Sequence, residues 1–185
     1  MALHLSQEDQ QLFEELKKFG VLQHVDGHRL DQSQGVFIVM CSDGDQSPDI
    51  ITFHSNLMNQ QRDVPRLHLF ADHGLALCLA PDSPLSRNYR GQNLFESIGD
   101  VPTLKGIKTG ALYIHAPCAA ATRAELNLLE QIRLVKAGKA LILKQFPGLQ
   151  IACFLHIDNG GKHSYFIEGS LWREWLKRQS SLPVL

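Results

Sequence analysis

The sequence predicts an α/β fold: a mainly parallel β-sheet flanked by helices, carried by residues 1–185 as a single domain. Three observations carry this expectation. Short β-rich apolar runs recur between residues 36 and 167, stretches of helical periodicity lie between and around them, and residues 36–40 are apolar at every position. A strand that is apolar throughout is one buried on both faces, as in the middle of a parallel sheet.

Taken in order, Ser6 is an N-cap candidate with Asp9 three residues on. Leu12, Phe13, Leu16 and Phe19 form an apolar face before Gly20, which predicts an N-terminal helix over residues 6–20. The buried strand 36–40 runs into the polar turn Cys41-Ser42-Asp43-Gly44-Asp45. Further strands are expected at 50–53, 67–70, 111–114, 150–157 and 164–167, the last two closing the sheet as a pair, and the apolar run 75–80 is also of strand length. Over residues 122–145, Leu126, Leu129, Ile132, Leu134 and Val135 recur at roughly helical spacing, with Thr122 and Glu125 as a capping box and Gly138 as a weak point or break. Trp172, Trp175 and Leu176 after Ser170 predict a last helix over 170–179, leaving 36–169 as the α/β core.

Composition narrows the function. Hydrophobic residues make up 44% and charged residues 20% of the chain, as in an ordinary soluble protein. Eighteen basic residues meet nineteen acidic ones, for a net charge of -1, so no basic field exists to collect nucleic acid or an anionic membrane. A small-molecule substrate is the expected partner. Residues 1–11 lack the basic and apolar runs of a secretory signal, no segment approaches the length of a bilayer span, and residues 182–185 carry no prenylation cysteine, so a cytoplasmic location is expected. In that reducing compartment disulfides are not expected among the four cysteines.

Ligands of open parallel sheets bind at the carboxyl ends of the strands. Cys41 follows one apolar strand and His115 another, and Cys118 lies three residues beyond His115, ahead of a helix. A cysteine near a helix N-terminus has its thiolate favoured, and Pro117 stiffens the connection. Two thiolates and one imidazole suit zinc and leave a fourth position open. Taken alone, H-x-x-C also reads as a buried cysteine beside an ordinary loop histidine. Cys78 and Cys153 sit in apolar runs and read as inert core thiols, while Trp172 and Trp175 read as core or interface.

The order C-x-D at Cys41 and Asp43, then H-x-x-C at His115 and Cys118, each at a strand end, resembles the β-class carbonic anhydrase family; the chain is similar to a divergent member. That family has C-x-D-x-R after its first sheet strand and H-x-x-C after a later one, followed by a long helix. The resemblance spans residues 36–169. It implies Zn²⁺ held by Cys41, His115 and Cys118, and Asp43 as the catalytic carboxylate beside the open position. It also implies a lyase of carbonate dehydratase type, reversibly hydrating carbon dioxide to bicarbonate by a zinc-bound hydroxide, and a homo-oligomer, dimer or larger.

Several positions depart from the family. Asp45 stands where the family has an arginine, so Asp43 could close the site as a fourth ligand or find another cation among Arg62, Arg66, Arg87, Arg90 and Arg123. Residues 71–75 replace a segment R-N-A-G-N that lines the family's site, and only Gly74 matches; Ala119 replaces the glycine that commonly follows H-x-x-C. His73 and Gly74 are substrate-pocket candidates, with His73 either contacting substrate or shuttling protons, or else a loop histidine held by Asp72. The alternatives to carbon dioxide hydration are a different small-molecule hydrolysis, or a non-catalytic zinc-binding relative whose metal Asp43 seals.

Overall fold

A computed structural model describes residues 4–181; the C-terminal residues 182–185, like the first three, lie outside the described residues. Six strands form one mixed sheet: β1 (Leu22–Gln23), β2 (Val36–Met40), β3 (Leu67–Ala71), β4 (Thr109–Ala116), β5 (Gln150–Asp158) and β6 (Lys162–Ile167). Their order across the sheet is β1-β6-β5-β4-β2-β3. The strands β3, β2, β4 and β5 run parallel, β6 returns antiparallel beside β5, and β1 pairs antiparallel with β6. The mainly parallel sheet of the sequence reading is therefore present, and the closing pair is its antiparallel margin.

Every residue of β2 and β4 is buried, because helices cover both faces of the central strands. One face carries Phe37, Val39, Leu112 and Ile114 against the larger core, and the other carries Val36, Ile38, Ala111 and Tyr113 against the smaller. Helix α1 (Gln7–Phe19) starts where expected: Ser6 Oγ accepts from the Asp9 N–H at 3.0 Å, and Gly20 ends it at φ +85°. Helix α6 (Gly169–Ser181) matches the expected last helix. Trp172 and Trp175 stack with centroids 5.4 Å apart and are buried, and Trp175 Nε1 donates to Glu15 Oε1, so the pair is core.

Three expected elements differ. Residues 50–53 are not a strand but part of helix α2 (Ser47–Met58), whose buried Ile50, His54, Leu57 and Met58 recur at helical spacing behind Pro48 in the first turn. A four-residue apolar window is too short to distinguish the two periods. Residues 75–80 are not a strand either: Leu75–Leu79 is a 3-10 segment, wholly buried between helix α3 (Arg90–Lys105) and a helix on its other side. Its unbroken apolarity records burial all round.

The expected helix over 122–145 is two helices, α4 (Ala119–Arg123) and α5 (Leu128–Gln145). The capping box belongs to Asn127 and Glu130, each side chain accepting the other's backbone N–H at 2.9 Å, and not to Thr122 and Glu125. Thr122 Oγ1 instead donates to the Cys118 carbonyl, and Glu125 turns the chain at φ +56°. Gly138 does not break α5. A Cβ there would stand 2.7 Å from Leu79 Cβ, so the glycine lets α5 close on the 3-10 segment. Helix α3 was not anticipated, because Gly91, Gly99 and Pro102 interrupt the Leu94, Ile98 and Val101 face that it buries.

Candidate metal centre

The centre sits at the carboxyl ends of the neighbouring parallel strands β2 and β4. Cys41 is the first residue after β2, His115 the penultimate residue of β4, and Cys118 the N-cap residue of α4. A buried strand end is rigidly held from both sides, so side chains placed there arrive with little freedom. One potential ligand atom from each residue lies within 4.8 Å of the other two, and all three residues are buried, at 6%, 2% and 3% exposure. Among the described residues this is the one group of histidine, cysteine and carboxylate side chains that could hold a metal ion.

Both ring nitrogens of His115 lack a hydrogen-bond partner although both are buried. Such a group is costly unless something outside the chain satisfies it. The two thiols are engaged with each other. Hydrogen bonding from Cys118 lowers the Cys41 thiol against the effect of its burial, with the Gly74 N–H and the electrostatics of the nearby His115 ring acting in the same direction. The Gly74 N–H lies 3.2 Å from Cys41 Sγ. Cys118 is pushed up because its hydrogen is committed to Cys41 and because it is buried, which outweighs the N–H groups of Ala121 and Ala120. Of the two, Cys41 is the thiol that ionises more readily. A five-residue helix offers little dipole to oppose a direct hydrogen bond.

These residues close around a space of about 10 Å³ whose walls include Gly74, Tyr113 and Gln131 as well as the three donors. That is room for about one water-sized occupant. Two thiols, one of them readily ionised, and an unsatisfied imidazole form a donor set that fits a soft or borderline metal such as zinc.

The remaining sequence candidates divide. Gly74 lies in the cavity wall. Asp43 is half-buried in the loop after β2 but outside the ligand group, and its Oδ1 accepts the Asp45 N–H at 2.9 Å. Of the arginines considered for it, Arg90 pairs with Asp72 at 2.6 Å, while Arg62 and Arg66 donate to carbonyls of Ser33, Gln34 and Lys105. His73 is exposed, with Nδ1 3.4 Å from Ser42 Oγ; Asp72 accepts its backbone N–H rather than holding its ring. Cys78 and Cys153 are buried free thiols outside the donor group; Cys78 donates to the carbonyls of Leu85 and Gly74, and Cys153 to that of Val135.

Two wall residues were not foreseen. Tyr113 reads as strand core, and its hydroxyl meets His54 Nδ1 at 2.8 Å. Gln131 carried the clearer signal, a polar residue among Leu128, Ile132, Leu134 and Val135 on the buried face of α5.

No protein-family model matches the chain, and no curated protein matches it. Among solved structures it is similar to the β-carbonic anhydrase CafD of the filamentous fungus Aspergillus fumigatus. The wild-type structure aligns at 14% identity with a TM-score of 0.45, covering 80% of this chain and 99% of that one. Structures of two point mutants align at 11% and 14% identity, each with a TM-score of 0.46 and the same coverage. Among the described residues no helix is long and apolar enough to cross a membrane.

Proposed function

We propose that the chain is a zinc-dependent lyase of carbonic anhydrase type, with Cys41, His115 and Cys118 holding the metal and carbon dioxide as substrate. The observation that carries this reading is the convergence of three buried donor atoms within 4.8 Å at the ends of two parallel strands. When bound, zinc supplies a Lewis acid that acidifies water near neutral pH. The chain's own residues hold and shape the site. Two thiolates and a neutral imidazole cancel the ion's charge, so the acidification is weaker than at an all-histidine site and a well-placed carboxylate matters more. Asp43, two residues beyond Cys41, is the carboxylate assigned this part; it lies outside the ligand group and the cavity lining, and its Oδ1 accepts the Asp45 N–H. The apolar walls Ala76, Leu77 and Ile114 exclude bulk water and suit a small neutral molecule. A cytoplasmic location and a dimer or larger homo-oligomer complete the proposal.

A sealed, non-catalytic zinc site is the alternative, favoured by the small cavity and by Asp45 in the arginine's place. Stopped-flow hydration of carbon dioxide by the zinc-loaded full chain decides between them. A rate above buffer from neutral to mildly alkaline pH, lost in Asp43→Asn, is the expected result. Stoichiometric zinc without any rate leaves the sealed site, and a chain that takes up no zinc overturns both.

A further inference from the structure

Gln131 is 4% exposed, and its amide is committed at one end only: Nε2 donates to the Leu126 carbonyl at 3.3 Å, while the buried Oε1 has no partner. The side chain lines the same small space as Cys41, His115 and Cys118. A buried carbonyl acceptor without a donor is rare in a folded chain, and here it borders a histidine whose two nitrogens are equally unsatisfied. The two deficiencies are complementary. A metal takes one ring nitrogen of His115, and the other then carries a hydrogen that has to be received.

Other unsatisfied acceptors do not compete from within the wall. Gln32 and Gln46 also have buried Oε1 atoms without partners, but neither lines this space. His156, beside His115 in strand register, has Nδ1 engaged with Ser164 Oγ at 2.9 Å; its Nε2 is also buried without a partner, but the residue is not part of the lining. We infer that Gln131 is a positioning residue of the metal centre: its Oε1 accepts the N–H of the His115 nitrogen that the metal leaves free, fixing the ring's tautomer and orientation. The inference rests on the zinc reading of the site. It assigns α5 a part in the centre beyond covering the sheet, since the only polar side chain among that helix's buried residues is the one turned to the donors.

The test uses the full chain, labelled with ¹⁵N-histidine and loaded with zinc. One ring N–H protected from exchange is expected to arise on zinc loading, to vanish in Gln131→Leu and to return in Gln131→Glu, whose carboxylate can accept the same hydrogen. Zinc affinity, measured by competition with a chromophoric chelator, falls about 10- to 100-fold in Gln131→Leu and recovers in Gln131→Glu. The ring signals of the buried His54 and His156 report that the variant is folded. If Gln131→Leu does not fold, Gln131→Glu decides alone: the His115 ring proton moves to lower field under a charged acceptor, and an unmoved resonance overturns the assignment. Wild-type chain that binds zinc, with affinity and ring signal unchanged in Gln131→Leu, overturns the role of Gln131 and leaves the zinc reading intact. Wild-type chain that takes up no zinc overturns both.

Discussion

The backbone N–H of Gly74 points at Sγ of Cys41 across 3.2 Å, tying the loop after β3 to the candidate metal donor that follows β2. The loop can present that donor because Gly74 sits at φ +62°, where a side chain is strained. A Cβ there would meet Leu85 Cδ1 at 2.9 Å and Ala120 Cβ at 3.2 Å, and Ala120 belongs to the helix that carries Cys118. Gly74→Ala is therefore expected to cost about 1–3 kcal/mol from backbone strain and crowding. It should lower the melting temperature by several degrees and weaken zinc binding. Thermal melts with and without zinc check this, and an alanine variant with unchanged melting and unchanged affinity would contradict it.

The four cysteines should separate into two pairs. Cys41→Ser and Cys118→Ser are each expected to lose zinc and, because metal binding is coupled to folding, the zinc-dependent part of the stability. Cys78→Ala and Cys153→Ala keep zinc at near one per chain, since neither thiol belongs to the donor group and both donate to backbone carbonyls instead. Each loses about 1 kcal/mol or more from an unfilled site in the core. Metal analysis of the four purified variants settles the division, and uniform behaviour would refute it.

Legibility in the sequence followed the range of the interactions. The all-apolar run Val36–Met40 announced a two-sided strand, and Ser6, Asp9 and Gly20 announced a helix, because both signals are written in neighbouring residues. Cys41, His115 and Cys118 were legible for a related reason: ligand positions at strand ends follow from where the strands stop. Residues 50–53 and 75–80 were misread because four to six apolar residues look alike in a strand, a buried helix or a 3-10 segment, and only the packing of α3 and α5 decides. Nothing local marked Arg90 as the partner of Asp72, eighteen residues away. The roles of Gly74 and Gln131 were hidden for the same reason, since each depends on a strand end remote in sequence.

Acid should weaken the fold through His54. Its ring is fully buried, edge-on to the stacked Tyr113 and Phe154, and that burial depresses it to about 4 from an ordinary 6.5. Between those values the unfolded chain binds a proton that the folded chain refuses, so stability falls as pH drops through 6.5 and the loss is complete below about 4. A shift of this size corresponds to about 3 kcal/mol. His156, also held at about 4 mainly by burial, adds in the same direction. Urea midpoints at pH 7 and pH 4.5 check the size of the effect. The double variant His54→Phe with Tyr113→Phe, which removes the ring without stranding the Tyr113 hydroxyl, is expected to lose less stability between the two pH values than the wild type. An equal loss would place the acid sensitivity elsewhere.

The thiol pair predicts how many protons zinc displaces. Cys41 is held down by the hydrogen bond from Cys118, and Cys118 is pushed up by giving it. Cys41 therefore gives up its proton well before Cys118 does. Zinc needs both as thiolates, so binding should expel about one proton from the pair per metal. Two ordinary thiols near 8.5 would expel close to two at pH 7. Because the proton that leaves is the one on Cys118, zinc affinity should rise about tenfold per pH unit for as long as metal-free Cys118 stays protonated. Calorimetric titration of zinc into the reduced chain at pH 7 in two buffers of different ionisation enthalpy counts the protons, with Cys118→Ser as the non-binding blank. Release of two protons from the pair, or an affinity flat between pH 6.5 and 8, would show that Cys41 and Cys118 titrate independently.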